Sequence, residues 1–229
     1  MASAGDVNGD GLDDVIVGAP NNSDGGPGDG AVYVVYGSHT PSTVDLASLG
    51  SHGFVMSNSD PGGNESAGSA VSGAGDVNGD GVDDLIVGAS NWAFGGSSRG
   101  NAYVVYGAAT ADLPDIDLHA LDGTDGFIIK GAQSGDGLGA GVASAGDFNH
   151  DGYGDVVVGA PGAGISGRSE SGAAYVVYGA PSPRAPTLLL GPGASDGEYL
   201  KITGPADFDR IGQSLAGGGD LNADSIGDV

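Results

Sequence analysis

The chain has 229 residues, 39% of them apolar, enough to bury a core, with 48 glycines and a formal charge of -24. That charge repels nucleic-acid phosphates and anionic membrane surfaces, and the six Lys and Arg residues form no basic patch. No apolar stretch reaches the roughly 18 residues of a membrane span, and without cysteine there is no disulfide framework.

Residues 1–4 do not read as a signal peptide, so an export signal is expected outside this sequence. The acid is almost entirely aspartate, the only glutamates being Glu65, Glu170 and Glu198. Asp and Gly in these numbers specify tight loops in preference to helices. Acidity of this kind has two readings, cation binding and a general halophilic surface. Only the first predicts that Asp recurs in register.

Residues 5–20 read GDVNGDGLDDVIVGAP. After the variable segment 21–30 comes AVYVVYG at 31–37, a β-branched and aromatic run closed by Gly. A link at 43–53 then leads to the short strand pattern of Phe54, Val55 and Met56, and a small-residue run occupies 67–74. The whole series then repeats. GDVNGDGVDDLIVGAS stands at 75–90, NAYVVYG at 101–107, a link at 111–126, an apolar strand at 127–130 and a small-residue run at 138–145. A third series has GDFNHDGYGDVVVGAP at 146–161, AAYVVYG at 173–179, a strand at 199–202 and a small run at 211–218. GDLNADSIGDV at 219–229 opens a fourth.

The starts at Gly5, Gly75, Gly146 and Gly219 are 70, 71 and 73 residues apart, giving repeat units 5–74, 75–145 and 146–218 and a truncated fourth from 219. Four short strands per period predict an all-β fold of about three four-stranded β-propeller blades, an incomplete propeller or a fragment of one. A solenoid or β-helix is the structural alternative. Both parities of VYVVY are apolar, so these strands are expected to be covered on both faces, as between two neighbouring blades. The Gly/Ala/Ser runs suit crowded inner strands along the axis. Boundaries that fall within blades favour a fragment of a longer propeller, with association of copies to close a ring as the other expectation, and exposed blade edges invite pairing.

In the first loop Asp6, Asn8, Asp10 and Asp14 occupy positions 1, 3, 5 and 9, and Leu12 at position 7 offers its carbonyl. Every donor is oxygen, which suits calcium's preference for six to eight hard ligands, and Gly11 at position 6 permits the sharp turn. The second copy sets out Asp76, Asn78, Asp80, Val82 and Asp84, and the third Asp147, Asn149, Asp151, Tyr153 and Asp155. An EF-hand would need Glu at position 12 between two helices. Here Val17, Val87 and Val158 stand there in strand-like runs, so the ninth-position Asp is expected to close the site. Three carboxylates in one loop repel unless a cation intervenes, so apo loops should be looser than holo loops. An Asp-Asn-Gly cluster taken singly reads equally well as a turn; recurrence in register argues for Ca2+. The fourth copy, Asp220, Asn222, Asp224, Ile226 and Asp228, has Ser225 at position 6 and no following strand, so its site is expected to be weak, frayed or empty.

This loop, followed by GxxYVVYG and preceded by a variant of Phe-Gly, resembles the FG-GAP repeat of the integrin α-subunit propeller, and bacterial integrin-α-like proteins look closer still. The variants are Ala67-Gly68, Leu138-Gly139 and Ile211-Gly212, and the Asp/Leu links before Gly53-Phe54 and Gly126-Phe127 match as well. The resemblance implies a noncatalytic, extracellular or cell-surface module for adhesion or protein/ligand interaction, with calcium structural. The alternative is a noncatalytic propeller segment of a larger secreted or surface enzyme of the hydrolase or phospholipase kind.

Other motifs carry less. The G-x-S-x-G match at 193–197 lacks the strand-to-helix setting of a nucleophile elbow, and His39, His52, His119 and His150 share no register and read as solvated. If the Asp loops join strands one and two of each blade, segments 21–30, 91–100 and 162–172 emerge at the opposite face. Trp92, Phe94 and Arg99 are candidate anchors there for a protein or carbohydrate ligand, or the Trp simply covers a blade edge.

Overall fold

A computed structural model describes residues 1–23, 29–40, 43–58, 65–90, 99–164, 167–191, 197–217 and 227. Their strands form three sheets. The first runs, from inside outward, through β1 (Ala2–Gly5), β2 (Asp14–Ala19), β3 (Ala31–Val35) and β4 (Gly53–Ser57). The second repeats this order with β5 (Ala67–Gly75), β6 (Asp84–Ala89), β7 (Asn101–Val105) and β9 (Gly126–Lys130). The third does so with β10 (Val142–Gly146), β11 (Asp155–Ala160), β12 (Ala173–Val177) and β14 (Tyr199–Thr203). All are antiparallel meanders, so each is one propeller blade with a small-residue strand innermost. The sheets begin with the strand ahead of each Asp loop, offset from the sequence repeats that begin at the loop itself.

The four-strand reading needs one addition. The link of the second repeat contributes β8 (Ile116–Asp117), which pairs in parallel with the outer strand β4 of the first blade. The third repeat's link contributes β13 (Thr187–Leu189), parallel to β9 of the second blade. Each link thus caps the sheet edge of the blade before it. Asp115 adds to the first cap by accepting a hydrogen bond from the Val55 amide at 2.8 Å.

Two-faced burial follows from blade stacking. Leu85, Val87, Tyr103, Val105 and Ile128 pack with Ile16, Val32, Val34, Phe54 and Met56 of the first blade. On the other side of the same sheet Ile86, Val104, Phe127 and Ile129 pack with Val156, Val158, Tyr175 and Val177 of the third. Each such side chain removed from water contributes about 1.5–3 kcal/mol. Tyr33 and Val35 in β3 are only half-buried, because among the described residues the first blade has a neighbour on one side only.

The glycine of each VGA run lies where the next blade's inner strand crosses. A Cβ on Gly18, Gly88 or Gly159 would strike the carbonyl oxygen of Gly68, Gly139 or Gly212, respectively. The residue before that second glycine plugs the core: Ala67 and Leu138 are fully buried. The Phe-Gly position therefore tolerates Ala or Leu as long as an apolar side chain fills it. Ala2, Val71, Ser72, Val142, Ala143 and Leu215 line one shared opening, and the small-residue strands β1, β5 and β10 each form one edge of their sheet.

Candidate metal centre

Each Asp loop joins the first two strands of its blade, and each inner strand ends in a β-bulge immediately before it, at Gly5, Gly75 and Gly146. The glycine at position 6 takes φ of +88°, +87° and +93° in the three loops, the conformation the sharp turn requires. At position 4, where the other loops have Gly9 and Gly79, the third has His150, also at a positive φ of 59°.

One hydrogen-bond plan recurs three times. In the first loop Asp6 Oδ1 accepts from the Asp10 amide at 2.9 Å and Asp6 Oδ2 from the Gly11 amide at 2.8 Å. Asn8 Oδ1 accepts from the Asp10 amide at 3.0 Å, and Asp10 Oδ1 from the Leu12 amide at 2.9 Å. Asp76, Asn78 and Asp80 repeat these bonds, as do Asp147, Asn149 and Asp151, within the range 2.9–3.1 Å. The side-chain oxygens at positions 1, 3 and 5 therefore all turn into the concave side of the loop.

The ninth-position Asp closes each loop from beneath. Asp14 Oδ2 accepts from the Val7 amide at 3.0 Å and its Oδ1 from the Gly37 amide at 2.8 Å. Asp84 holds Val77 and Gly107, and Asp155 holds Phe148 and Gly179, in the same way. The glycine after each VVY run is thus tied to the loop, which explains its recurrence. These three carboxylates are buried, with Asp84 and Asp155 fully inaccessible. Burial pushes Asp84 up to about 8; amide hydrogen bonds from Gly107 and Val77 oppose the shift, and the charges of Asp80 and Asp76 add to it. Asp14 and Asp155 are raised for the same first reason, burial.

Two carboxylates and an Asn amide oxygen at the loop tip, with a third, buried carboxylate below, form a donor set whose chemistry fits a hard, oxygen-preferring cation. In this structure the carboxylates bond to loop amides, and among the described residues no three acidic or imidazole side chains stand together as a ready metal cage. The fit is one of donor chemistry and of placement in the loop.

The fourth loop's Asp220, Asn222, Asp224, Ile226 and Asp228 lie outside the described residues, as do Trp92 and Phe94 and residues 193–196 of the G-x-S-x-G match. Arg99 is described: exposed two residues ahead of β7, it donates from Nη1 to the Ala132 carbonyl at 3.4 Å, while its own carbonyl accepts from the Leu138 amide. It sits at the end of the blade opposite the Asp loops. His119 departs from the solvated reading, since its Nε2 is 3.5 Å from Glu65 Oε2 and its ring tilts against Tyr103. Glu65 also accepts from Tyr103 Oη at 2.6 Å and Asn101 Nδ2 at 2.9 Å, in a polar knot that ties the connection between the first two blades to the second blade. The aligned position of the other repeats, two residues before the x-Gly pair, is also acidic, as Asp136 and Asp209, and this recurrence is the signal in the sequence that singles out Glu65.

This architecture matches a known repeat. The family model described as FG-GAP repeat matches residues 2–35, 67–105 and 138–177, one stretch per blade. The chain is an FG-GAP repeat protein, homologous to integrin α chains. It is 31% identical over 223 residues to Integrin alpha pat-2 of Caenorhabditis elegans, covering 92% of this chain and 17% of that protein. Phosphatidylinositol-glycan-specific phospholipase D of Rattus norvegicus is 38% identical over 110 residues, 48% of this chain and 13% of its own length. Integrin alpha-IIb of Homo sapiens is 39% identical over 95 residues, 42% of this chain and 9% of that protein. The chain spans under a fifth of the length of these relatives.

Proposed function

We propose that the chain is a noncatalytic, calcium-stabilised propeller segment serving adhesion or protein/ligand interaction outside the cell or at its surface. The observation that carries this reading is the threefold recurrence of one oxygen donor set over a buried ninth-position Asp. Asp6, Asn8, Asp10, the Leu12 carbonyl and Asp14 would hold the first ion, with the corresponding residues of the second and third loops holding two more. A bound cation there supplies positive charge that offsets the carboxylate repulsion, so its part is structural. The homology to integrin α chains supports the surface setting and the binding role. A protein or carbohydrate ligand is assigned to the face opposite the loops, where Arg99 lies; Trp92 and Phe94, the other anchors expected from the sequence, are outside the described residues.

The test is thermal melting during calcium titration, with EDTA as control. A site at a hundred-fold excess over its Kd adds about 2.7 kcal/mol, so three loops should raise Tm by many degrees. An unchanged Tm on chelation would remove the proposal. A second reading, a propeller segment within a larger enzyme, is favoured specifically by the likeness to phosphatidylinositol-glycan-specific phospholipase D. A neighbouring catalytic domain in the parent polypeptide would support it.

A further inference from the structure

Asp83 stands at position 8 of the second loop, a place the 1-3-5-7-9 donor pattern leaves unused. Its side chain points away from its own loop. Oδ2 accepts a hydrogen bond from the Asp6 amide at 2.9 Å, across 77 residues and into the first blade. The Asp83 amide returns to the Asp6 carbonyl at 3.4 Å. Both main-chain groups of the first loop's leading ligand are thus held by one residue of the next blade. Beside it, the Ala108 amide, in the turn after β7, donates to the Val7 carbonyl at 3.1 Å. Gly5 makes room, since a Cβ there would run into the Asp83 carboxylate.

The next joint shows the same arrangement with one part missing. Gly154, at position 8 of the third loop, donates its amide to the Asp76 carbonyl at 2.7 Å, and the Ala180 amide donates to the Val77 carbonyl at 3.0 Å. Gly154 has no side chain with which to offer the carboxylate. The second loop is therefore held from the third blade through the main chain alone, whereas the first is also held by a charged acceptor.

We propose that Asp83 is a positioning residue for the cation site of the first loop, acting from the second blade and not on its own loop. It fixes the backbone from which Asp6 projects and adds negative charge behind the site. It is also the only position-8 carboxylate reaching across a blade joint among the described residues. Occupancy of the first loop and closure of the first blade joint are then one coupled event.

This inference rests on the calcium reading, and the experiment separates the two. Calcium chloride is titrated into the full chain while the amide resonances of Gly11, Gly81 and Gly152 are followed, each of these amides being hydrogen-bonded to the position-1 Asp of its loop. Asp83→Ala should move the Gly11 half-saturation point up about ten-fold, the scale seen for outer partners of metal ligands, with Gly81 and Gly152 unmoved. Asp83→Asn keeps an acceptor oxygen without the charge, and should fall between wild type and Ala. Gly154→Asp supplies the missing carboxylate to the second loop and should tighten the Gly81 curve alone. That position has an ordinary φ, and an added Cβ would lie 3.1–3.2 Å from main-chain atoms of Asp76, a tight contact that the joint relieves by widening a few tenths of an ångström, toward the longer 3.4 Å spacing that the Asp83 amide keeps from the Asp6 carbonyl. If the Asp83 variants shift Gly81 most, shift all three curves together or shift none, the proposal is overturned, as it is if Gly154→Asp leaves Gly81 unchanged. If no loop amide in the wild-type chain responds to calcium, the calcium reading itself fails and takes this inference with it.

Discussion

A glycine can be required by conformation or by space, and the Asp loops separate the two. Gly11 has a φ of +88° with nothing within 4 Å of where a Cβ would sit. Gly79 has a φ of +79°, but its Cβ would meet the Tyr153 ring, which reaches over from the third loop, at 2.5 Å. Gly11→Ala should therefore cost only the strain of a left-handed residue, about 1–2 kcal/mol, while Gly79→Ala should cost roughly 1–3 kcal/mol more because the ring must move. Thermal melts of both variants in calcium check the difference, and adding Tyr153→Ala should erase most of the extra loss at Gly79. If the two single variants melt alike, the packing of Tyr153 on the second loop is wrong. At this scale the ligand positions were open to reading, because alternation within a nine-residue loop is a local property. Asp83 was not, since the group it holds lies 77 residues away.

Strands gave themselves away by composition where they were five or six residues long, and not where they were shorter. AVYVVYG and its copies declared β3, β7 and β12, and apolar residues on both parities announced coverage on both faces. β8 and β13 hold two and three residues, too few for any period, and their partners lie in the previous repeat. The links read from sequence as connectors are in fact structural. In two of them an Asp caps a short 3-10 turn: Asp45 accepts from the Ala47 amide ahead of Leu46–Ser48, and Asp117 from the His119 amide ahead of Leu118–Ala120. The leucines that open these turns differ in burial. Leu118 is fully inaccessible in the core between the first two blades, whereas Leu46 is half-exposed. Leu118→Ala should accordingly cost about 2–5 kcal/mol, and Leu46→Ala distinctly less, by denaturant melts of the two variants. Equal losses would mean that the links contribute through local turn formation and not through the blade joint.

Among the described residues one interface recurs between the first and second blades and between the second and third, and the Gly227 amide, donating to the Asp147 carbonyl at 3.2 Å, repeats its main-chain contact on the third loop. Whatever faces that joint in one blade has a counterpart in the next, so the two outermost faces carry surfaces built for burial. Register makes this comparison residue by residue: Phe54, Phe127 and Leu200 occupy one position of the outer strand, and Met56, Ile129 and Ile202 another. Phe54 and Phe127 are 3% and 0% exposed, but Leu200 is 40%; Met56 and Ile129 are inaccessible, but Ile202 is 39%. β14 also lacks, among the described residues, the parallel cap that β8 gives β4 and β13 gives β9. At the other end Val15 is 38% exposed, while Leu85 and Val156, which pair with the matching residues of their own third strands, are buried. An apolar strand edge of this kind recruits other strands, and a charge upon it is the usual protection. The isolated chain should therefore self-associate as its concentration rises, and Ile202→Lys should suppress this with little loss of stability, because the lysine replaces a side chain that is already two-fifths exposed. Sedimentation velocity across a concentration series reads both variants. Identical profiles for wild type and Ile202→Lys would show that β14 is not the joining edge and move attention to the Val15 face of the first blade.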